Sequence, residues 1–261
     1  MKVLVLGAGK MVQAILSGLQ GIEDLSEWQI YSPSGTSAEK VAAEVGARFI
    51  KNFDEVLGPE FVLVGCKPQQ LEDLKKTIGN RFDELPFISL LAAASEKVQR
   101  EILGKKELIR CMPNLPVQFR KGVILLSSDS APHRLKFYQS FFSKLGHCLS
   151  VTEKELDELT LLTGSGPALF YEFTGRLAES FHSLDSIQRE ILARAVFIGT
   201  SKTLEKGDES LVELTDKVTS KGGVTIAVLE AWRKMNFYEL ICKGVEEGIR
   251  RIAEIKEETR N

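Results

Sequence analysis

The sequence predicts an α/β fold, a doubly wound sheet in its first half with an all-helical second half. Three observations predict it. Short apolar runs alternate with helical patterns from Val3 to about Val151. A glycine pair, Gly7-x-Gly9, stands between the first run and the first helical pattern, and beyond Glu153 no run reads as a strand. Repeated strand–helix–strand order builds parallel sheets covered by helices on both faces.

The expected strands are Val3–Leu6, Gln29–Tyr31, Phe61–Val64, Phe87–Leu91, Leu108–Met112 and Val123–Leu126. Most are rich in branched or aromatic residues, and several are apolar without alternation, as strands buried on both faces are. Met11–Leu19 and Ala38–Val45 are the helices between the early ones. In the second half, Phe170, Phe173, Leu177 and Phe181 share one helical face. In the last pattern Ile241, Val245, Gly248, Ile249 and Ile252 form a stripe opposite Glu246, Glu247, Arg250 and Arg251. Gly244 and Gly248, one helical turn apart, would let another helix approach. The expected domains are residues 1–152 and 153–261.

Composition narrows the class. A chain of 261 residues, 43% hydrophobic and 27% charged, is globular rather than disordered. A net charge of −2 gives no basic field, so nucleic acid is excluded as the main partner. Cys66, Cys111, Cys148 and Cys242 lie far apart with no C-x-x-C pair, so they read as reduced thiols with no disulfide framework and no metal site. The apolar N-terminal run stops at Gly7. That is too short for a secretory core of about 7–15 apolar residues or a span of about 20. The expectation is a cytoplasmic protein with no membrane partner.

Six segments carry chemistry. Gly7-x-Gly9 follows a strand and opens a helix, where missing Cβ atoms let the backbone approach a pyrophosphate at the helix N-terminus. This is the turn of a Rossmann-type dinucleotide-binding sheet. Its sixth position, usually Gly or Ala, is Val12, which is expected to push the first helix slightly away from the sheet. After the second strand, Tyr31-Ser32-Pro33-Ser34-Gly35-Thr36-Ser37 offers hydroxyls and loop amides, with Lys40 beyond and no acid to hold ribose hydroxyls. That favours NADPH, with NADH as the alternative cofactor. Gly65-Cys66-Lys67-Pro68-Gln69 leaves a strand's C-terminal end, which lines the cleft in this fold. Arg110-Cys111-Met112-Pro113-Asn114-Leu115-Pro116 closes a later strand, its prolines stiffening the loop that presents the Asn114 amide. Thr163-Gly164-Ser165-Gly166-Pro167-Ala168 is expected to open the first long C-terminal helix, with small residues permitting close approach. Ser220-Lys221-Gly222-Gly223-Val224-Thr225 opens another helix, and free amides there suit a carboxylate.

In this order the segments resemble the pyrroline-5-carboxylate reductase family over nearly the whole chain. The family's G-x-G-x-M is Gly7, Gly9 and Met11, followed by Ala14, Ile15 and Gly18. Its K-P-Q is Lys67-Pro68-Gln69, its R-x-M-P-N-x-P is Arg110 to Pro116, and its G-S-G-P-A is Gly164 to Ala168. The late signature D-x-V-x-S-P-G-G-x-T is matched by Asp216, Val218, Ser220, Gly222, Gly223 and Thr225. Departures are Lys221 for proline, Val224 for a frequent threonine, Leu169 for an aromatic residue and Leu211 for a proline.

The resemblance implies reduction of the C=N bond of 1-pyrroline-5-carboxylate to L-proline by a nicotinamide cofactor. It implies that Gly7, Gly9, Lys10 and Met11 hold the pyrophosphate, with Ser32, Ser34 and Thr36 around a 2′-phosphate and Cys66, Lys67 and Pro68 beside them. Asn114 and Lys67 would orient the nicotinamide half, and Ser165 would line the cleft wall. Amides of Gly222, Gly223 and Val224, flanked by Ser220 and Lys221, would receive the carboxylate, and Thr225 the imine nitrogen or carboxylate. His133, His147 and His182 lie outside all six segments. A homodimer at least, with further assembly left open, is the expected state. The alternatives are a related imine or keto-acid reductase for another small acid, and a non-catalytic NADP-binding sensor.

Overall fold

A computed structural model describes residues 1–33, 35–92 and 94–258, so Ser34, expected near a 2′-phosphate, lies outside the described residues. The first half alternates strands and helices: β1 (Val3–Leu6), α1 (Lys10–Leu19), β2 (Trp28–Tyr31), α2 (Thr36–Val45), β3 (Arg48–Phe49), β4 (Phe61–Val64) and α3 (Leu71–Ile78). It continues through β5 (Phe87–Ser89), α4 (Glu96–Leu103), β6 (Leu108–Pro113), β7 (Gly122–Ser127), α5 (Leu135–Phe142) and β8 (Gly146–Ser150). These strands form one sheet in the order β3-β2-β1-β4-β5-β6-β7-β8. All neighbours are parallel except β6 and β7.

Period-two alternation explains the two faces. Val3 and Val5 of β1 pack with Ile15, Leu16, Val41 and Phe141 on one side, and Leu4 and Leu6 pack with Leu71, Leu74, Ile78 and Leu103 on the other. The doubly wound arrangement therefore follows from central strands such as β1 and β4, apolar at every position. Strand order reverses between β1 and β4, and Leu6 lies opposite both Tyr31 and Val64. The loops after β1, β2 and β4 leave the same edge of the sheet, where ligands bind in this topology.

Two strands had no signal in the sequence. β3 is only two residues, and β8, whose register sets Ile124 opposite Cys148, is a mostly exposed edge. Val12 is buried, and its bulk is housed beside Gly65, where a Cβ would lie 2.3 Å from Val12 Cγ2. The small residue that this turn requires has moved from the helix to the facing strand end.

The chain divides into two compact units, Met1–Gly164 with the chain from Arg251 onward, and Ser165–Arg250. The division falls after α6 (Glu153–Thr160) because Leu156 packs with Met112 and Leu125 of the sheet. Thr152 and Glu155 form a reciprocal capping box that starts this helix. A π-helical turn, Leu161–Ser165, then leads directly into α7 (Gly166–Glu179). The segment Thr163–Ala168 thus lies within a helical run, not at its start as expected from its glycines and Pro167.

The second unit continues with α8 (Ser186–Lys206), α9 (Leu211–Lys217), α10 (Val224–Lys234) and α11 (Phe237–Glu258), which runs on past the unit's end. Asp185 caps α8, and Ser210 with Glu213 caps α9. Among the described residues of this unit only Gly166 is buried. The face Phe170, Phe173, Leu177 and Phe181 is 56, 42, 39 and 62% exposed. Phe173, Trp232 and Phe237 touch one another, with Trp232 and Phe237 ring centroids 5.1 Å apart, yet they enclose no core. So much apolar surface marks an interaction face rather than a solvent-facing one. Among the described residues no helix is long and apolar enough to cross a membrane.

Two outcomes follow from this packing. Light scattering at micromolar concentration should report at least two chains per particle, and a stable monomer would contradict it. Gly18 of α1 faces the turn after β6, where a Cβ would lie 2.2 Å from the Val117 carbonyl oxygen. Gly18→Ala should therefore cost about 1–3 kcal/mol of stability in denaturant unfolding, as overpacking does.

Candidate dinucleotide and carboxylate sites

The first site is built on Gly7. Its φ of +112° is open to glycine, and a Cβ there would lie 2.7 Å from the Gly65 carbonyl. Gly7 N–H donates to the Tyr31 carbonyl at 2.8 Å and Gly65 N–H to the Leu6 carbonyl at 2.8 Å, so the three strand ends fix this turn. Gln13 Nε2 donates to the Ala8 carbonyl at 2.9 Å and steadies its middle. Gly9 then caps α1 with no side chain over the first amides and no acid in the first turn. Such a helix start, with exposed Lys10 beside it, is complementary to a pyrophosphate. Backbone shape, missing Cβ atoms and charge all fit a dinucleotide.

The flanking loops are partly as expected. Ser32 and Thr36 stand either side of a turn closed by Gly35 N–H to the Ser32 carbonyl at 2.9 Å. Glu39 sits in the first turn of α2, and Lys40 Nζ lies 3.9 Å from Glu44, so this corner is less purely cationic than the loop residues alone suggested. Cys66 is half-buried, and burial pushes its thiol up to about 11, which keeps it neutral beside the turn. Lys67 is exposed, its backbone N–H donating to Gln70 Oε1 at 3.1 Å, and Pro68 opens the 3₁₀ turn that precedes α3.

Asn114 is engaged within the protein. It is 7% exposed; its Oδ1 accepts Val123 N–H at 2.9 Å and its Nδ2 donates to the Thr163 carbonyl at 2.8 Å. One donor and the acceptor of the amide expected to orient the nicotinamide half are thus taken up within the protein. Ser165, the last residue of the π-helical turn, is exposed.

One buried group was missed by the sequence reading. Arg110, in the middle of β6, is 1% exposed, and its Nη1 meets Asp157 at 2.9 Å and Glu153 at 3.1 Å, while Nη2 donates to the Ala92 carbonyl at 3.2 Å. The usable signal was an arginine inside an apolar strand, which needs buried acids, and two acids spaced i,i+4 at the start of the helical half. Glu153 also accepts Glu96 N–H at 2.6 Å, and the Glu96 carboxylate accepts the N–H groups of Asp129 and Ser130 at 2.6 and 2.9 Å.

The turn expected to receive a carboxylate lies in the second unit. Gly222 adopts φ +73°, and Gly223 caps α10 with no side-chain cap and no acid in the first turn. A Cβ on Gly223 would lie 2.3 Å from Ser220 Oγ. The Gly223 N–H, expected among the carboxylate donors, closes the turn onto the Ser220 carbonyl at 3.0 Å. The exposed Val224 and Thr225 amides open α10, with the Thr225 hydroxyl and exposed Lys221 alongside.

Fold and glycine turn together define a dinucleotide-binding protein of the doubly wound class. Residues 2–93 match the family described as NADP oxidoreductase, coenzyme F420-dependent, and residues 153–255 match pyrroline-5-carboxylate reductase dimerisation. The curated pyrroline-5-carboxylate reductase of Staphylococcus epidermidis is 30% identical over 256 residues, 94% of either chain. That of Synechocystis sp. is 28% identical over 259 residues, covering 96% of this chain and 97% of its own. The fold is shared with a solved pyrroline-5-carboxylate reductase from Coxiella burnetii, at TM-score 0.85 and 23% identity over 98% of both chains. A Plasmodium falciparum pyrroline carboxylate reductase, solved with NADP bound, gives 0.81 at 21% identity over 98% of both chains. The chain belongs to the pyrroline-5-carboxylate reductase family.

The buried guanidinium gives a test. Arg110→Met leaves Asp157 and Glu153 without their cation and should destabilise the protein by about 3 kcal/mol in denaturant unfolding. That is the low end of the usual range, because the Glu153 side chain is 25% exposed and regains water.

Proposed function

We propose that this protein is a pyrroline-5-carboxylate reductase: it reduces the C=N bond of 1-pyrroline-5-carboxylate with NADPH and yields L-proline. The observation that carries this reading is likeness to curated reductases over 94% of the chain, spanning the dinucleotide turn and the helical half alike.

The chemistry supplied by NADPH, when bound, is a hydride for the imine carbon. Gly7, Gly9, Lys10 and Met11 receive its pyrophosphate, and the Ser32–Thr36 loop its 2′-phosphate. A cyclic imine arrives already protonated, so the protein needs no strong general acid. Its task is to place one ring against another and to hold the carboxylate. Val224 and Thr225 amides, with Gly222 giving the turn its shape, receive that carboxylate. Lys221 adds a cation, and the Thr225 hydroxyl contacts the imine nitrogen or the carboxylate. Lys67 orients the nicotinamide half, and Ser165 lines the cleft wall. Residues 1–152 serve the cofactor and 153–261 the substrate and dimer formation. The exposed stripes of α7 and α11 are covered by a second copy, and the enzyme works in the cytoplasm as part of proline biosynthesis.

The test is NADPH oxidation at 340 nm with pyrroline-5-carboxylate, repeated with NADH. Thr225→Ala should lower kcat about 10²-fold, the usual cost of one transition-state donor. Lys221→Ala should raise the KM for pyrroline-5-carboxylate about threefold and leave kcat alone, as loss of an exposed charge contact does. NADPH binding without turnover would refute the reductase reading and leave a dinucleotide sensor.

A further inference from the structure

We propose that Asn114 is a positioning residue for hydride transfer, acting through the Thr163 carbonyl to hold the π-helical turn Leu161–Ser165; this rests on the reductase reading above.

The geometry begins in the hairpin. Asn114 N–H donates to the Val123 carbonyl at 3.2 Å, and its Oδ1 accepts the Val123 N–H at 2.9 Å, so the residue is clamped to β7 from both sides. Its own carbonyl accepts Val117 N–H at 3.1 Å at the start of the 3₁₀ turn Leu115–Phe119. Pro113 and Pro116 remove further freedom from this loop. A side chain fixed at so many points is a rigid bracket, and what it offers is Nδ2. That donor meets the Thr163 carbonyl at 2.8 Å.

Thr163 lies in a stretch that departs from α geometry. π-Helical turns are rare, appear as single insertions and gather at functional sites. Pro167, four residues beyond Thr163, has no N–H with which to make an α-helical bond to that carbonyl. Thr160 and Thr163 turn their hydroxyls back onto the carbonyls of Leu156 and Leu159, at 2.5 and 3.1 Å. Such back-bonding loosens a helix rather than tightening it. The Asn114 amide thus serves a carbonyl that lacks its α-helical i+4 partner, and it fixes the turn whose last residue is Ser165. Direct contact with the nicotinamide, the role suggested by the sequence, is replaced by placement of the wall.

The test compares wild type with Asn114→Asp, which keeps the acceptor for Val123 and loses the donor to Thr163. Asn114→Ser, neutral and smaller, is the second variant should the buried charge of the first prevent folding. Two readouts are taken. Hydrogen exchange in the peptide across the turn should quicken about tenfold, the equivalent of one lost hydrogen bond. With NADPH deuterated at the transferred position, kcat should fall about 10²-fold, as a misplacement of about 1 Å can cause, and the isotope effect should rise. The KM for NADPH should stay within about twofold, because uniform binding is untouched. Unchanged exchange overturns the clamp, and so does a raised KM for NADPH with kcat preserved, which would return Asn114 to direct cofactor contact. Exchange is measured without substrate, so it decides the clamp even if wild type proves inactive on pyrroline-5-carboxylate, an outcome that would sink only the reductase reading.

Discussion

A guanidinium set in the middle of a central strand is the constraint around which this end of the molecule is organised. Arg110 lies between apolar neighbours on β6, and its charge is met by Asp157 and Glu153 of α6. Removing such a charge from water costs several kcal/mol, and its partners return that energy only when the geometry is good. α6 is thereby held to the sheet, and Leu156 is brought onto Met112 and Leu125. Glu153 extends the bonding to Glu96 at the start of α4, and Glu96 to the turn after β7. An apolar core can slide; a charge with directional partners fixes one register. From that register come the compact border after Gly164 and the place where the helical run widens into its π turn.

Much of the fold could be read from residues alone, for identifiable reasons. β1 and β4 are apolar at successive positions because helices cover both faces, and such runs stand out. Gly7 was legible because its positive φ, and a Gly65 carbonyl that a Cβ would meet at 2.7 Å, exclude any side chain. β3 and β8 were not, since a two-residue strand and an exposed edge strand have neither length nor apolar pattern. The π turn was misread as a helix start because Gly164, Gly166 and Pro167 normally punctuate. Their context, a capped helix already under way from Thr152, outweighed them. Asn114 and the Gly223 amide were named for their chemistry, but which partner takes a hydrogen bond is set by tertiary geometry. Gly65 shows the same limit: its value lies in making room for Val12, which only the folded pair reveals.

The helical half poses a different physical problem. Its stripes were visible as periodicity, yet within one chain they bury almost nothing. A unit whose aromatic residues remain exposed gains too little from burial to offset its chain entropy. Residues 153–255 match the reductase dimerisation family, and the exposed stripes fit surface supplied by a second chain.

Deuterium tracing tests the central claim most directly. Protein, pyrroline-5-carboxylate and NADPH deuterated at the transferred position are incubated together, and the product is analysed by mass and NMR. The account predicts L-proline with one deuterium on the ring carbon that is bonded to nitrogen and bears no carboxylate. Unlabelled proline, or no proline while the cofactor stays bound and unoxidised, would contradict it.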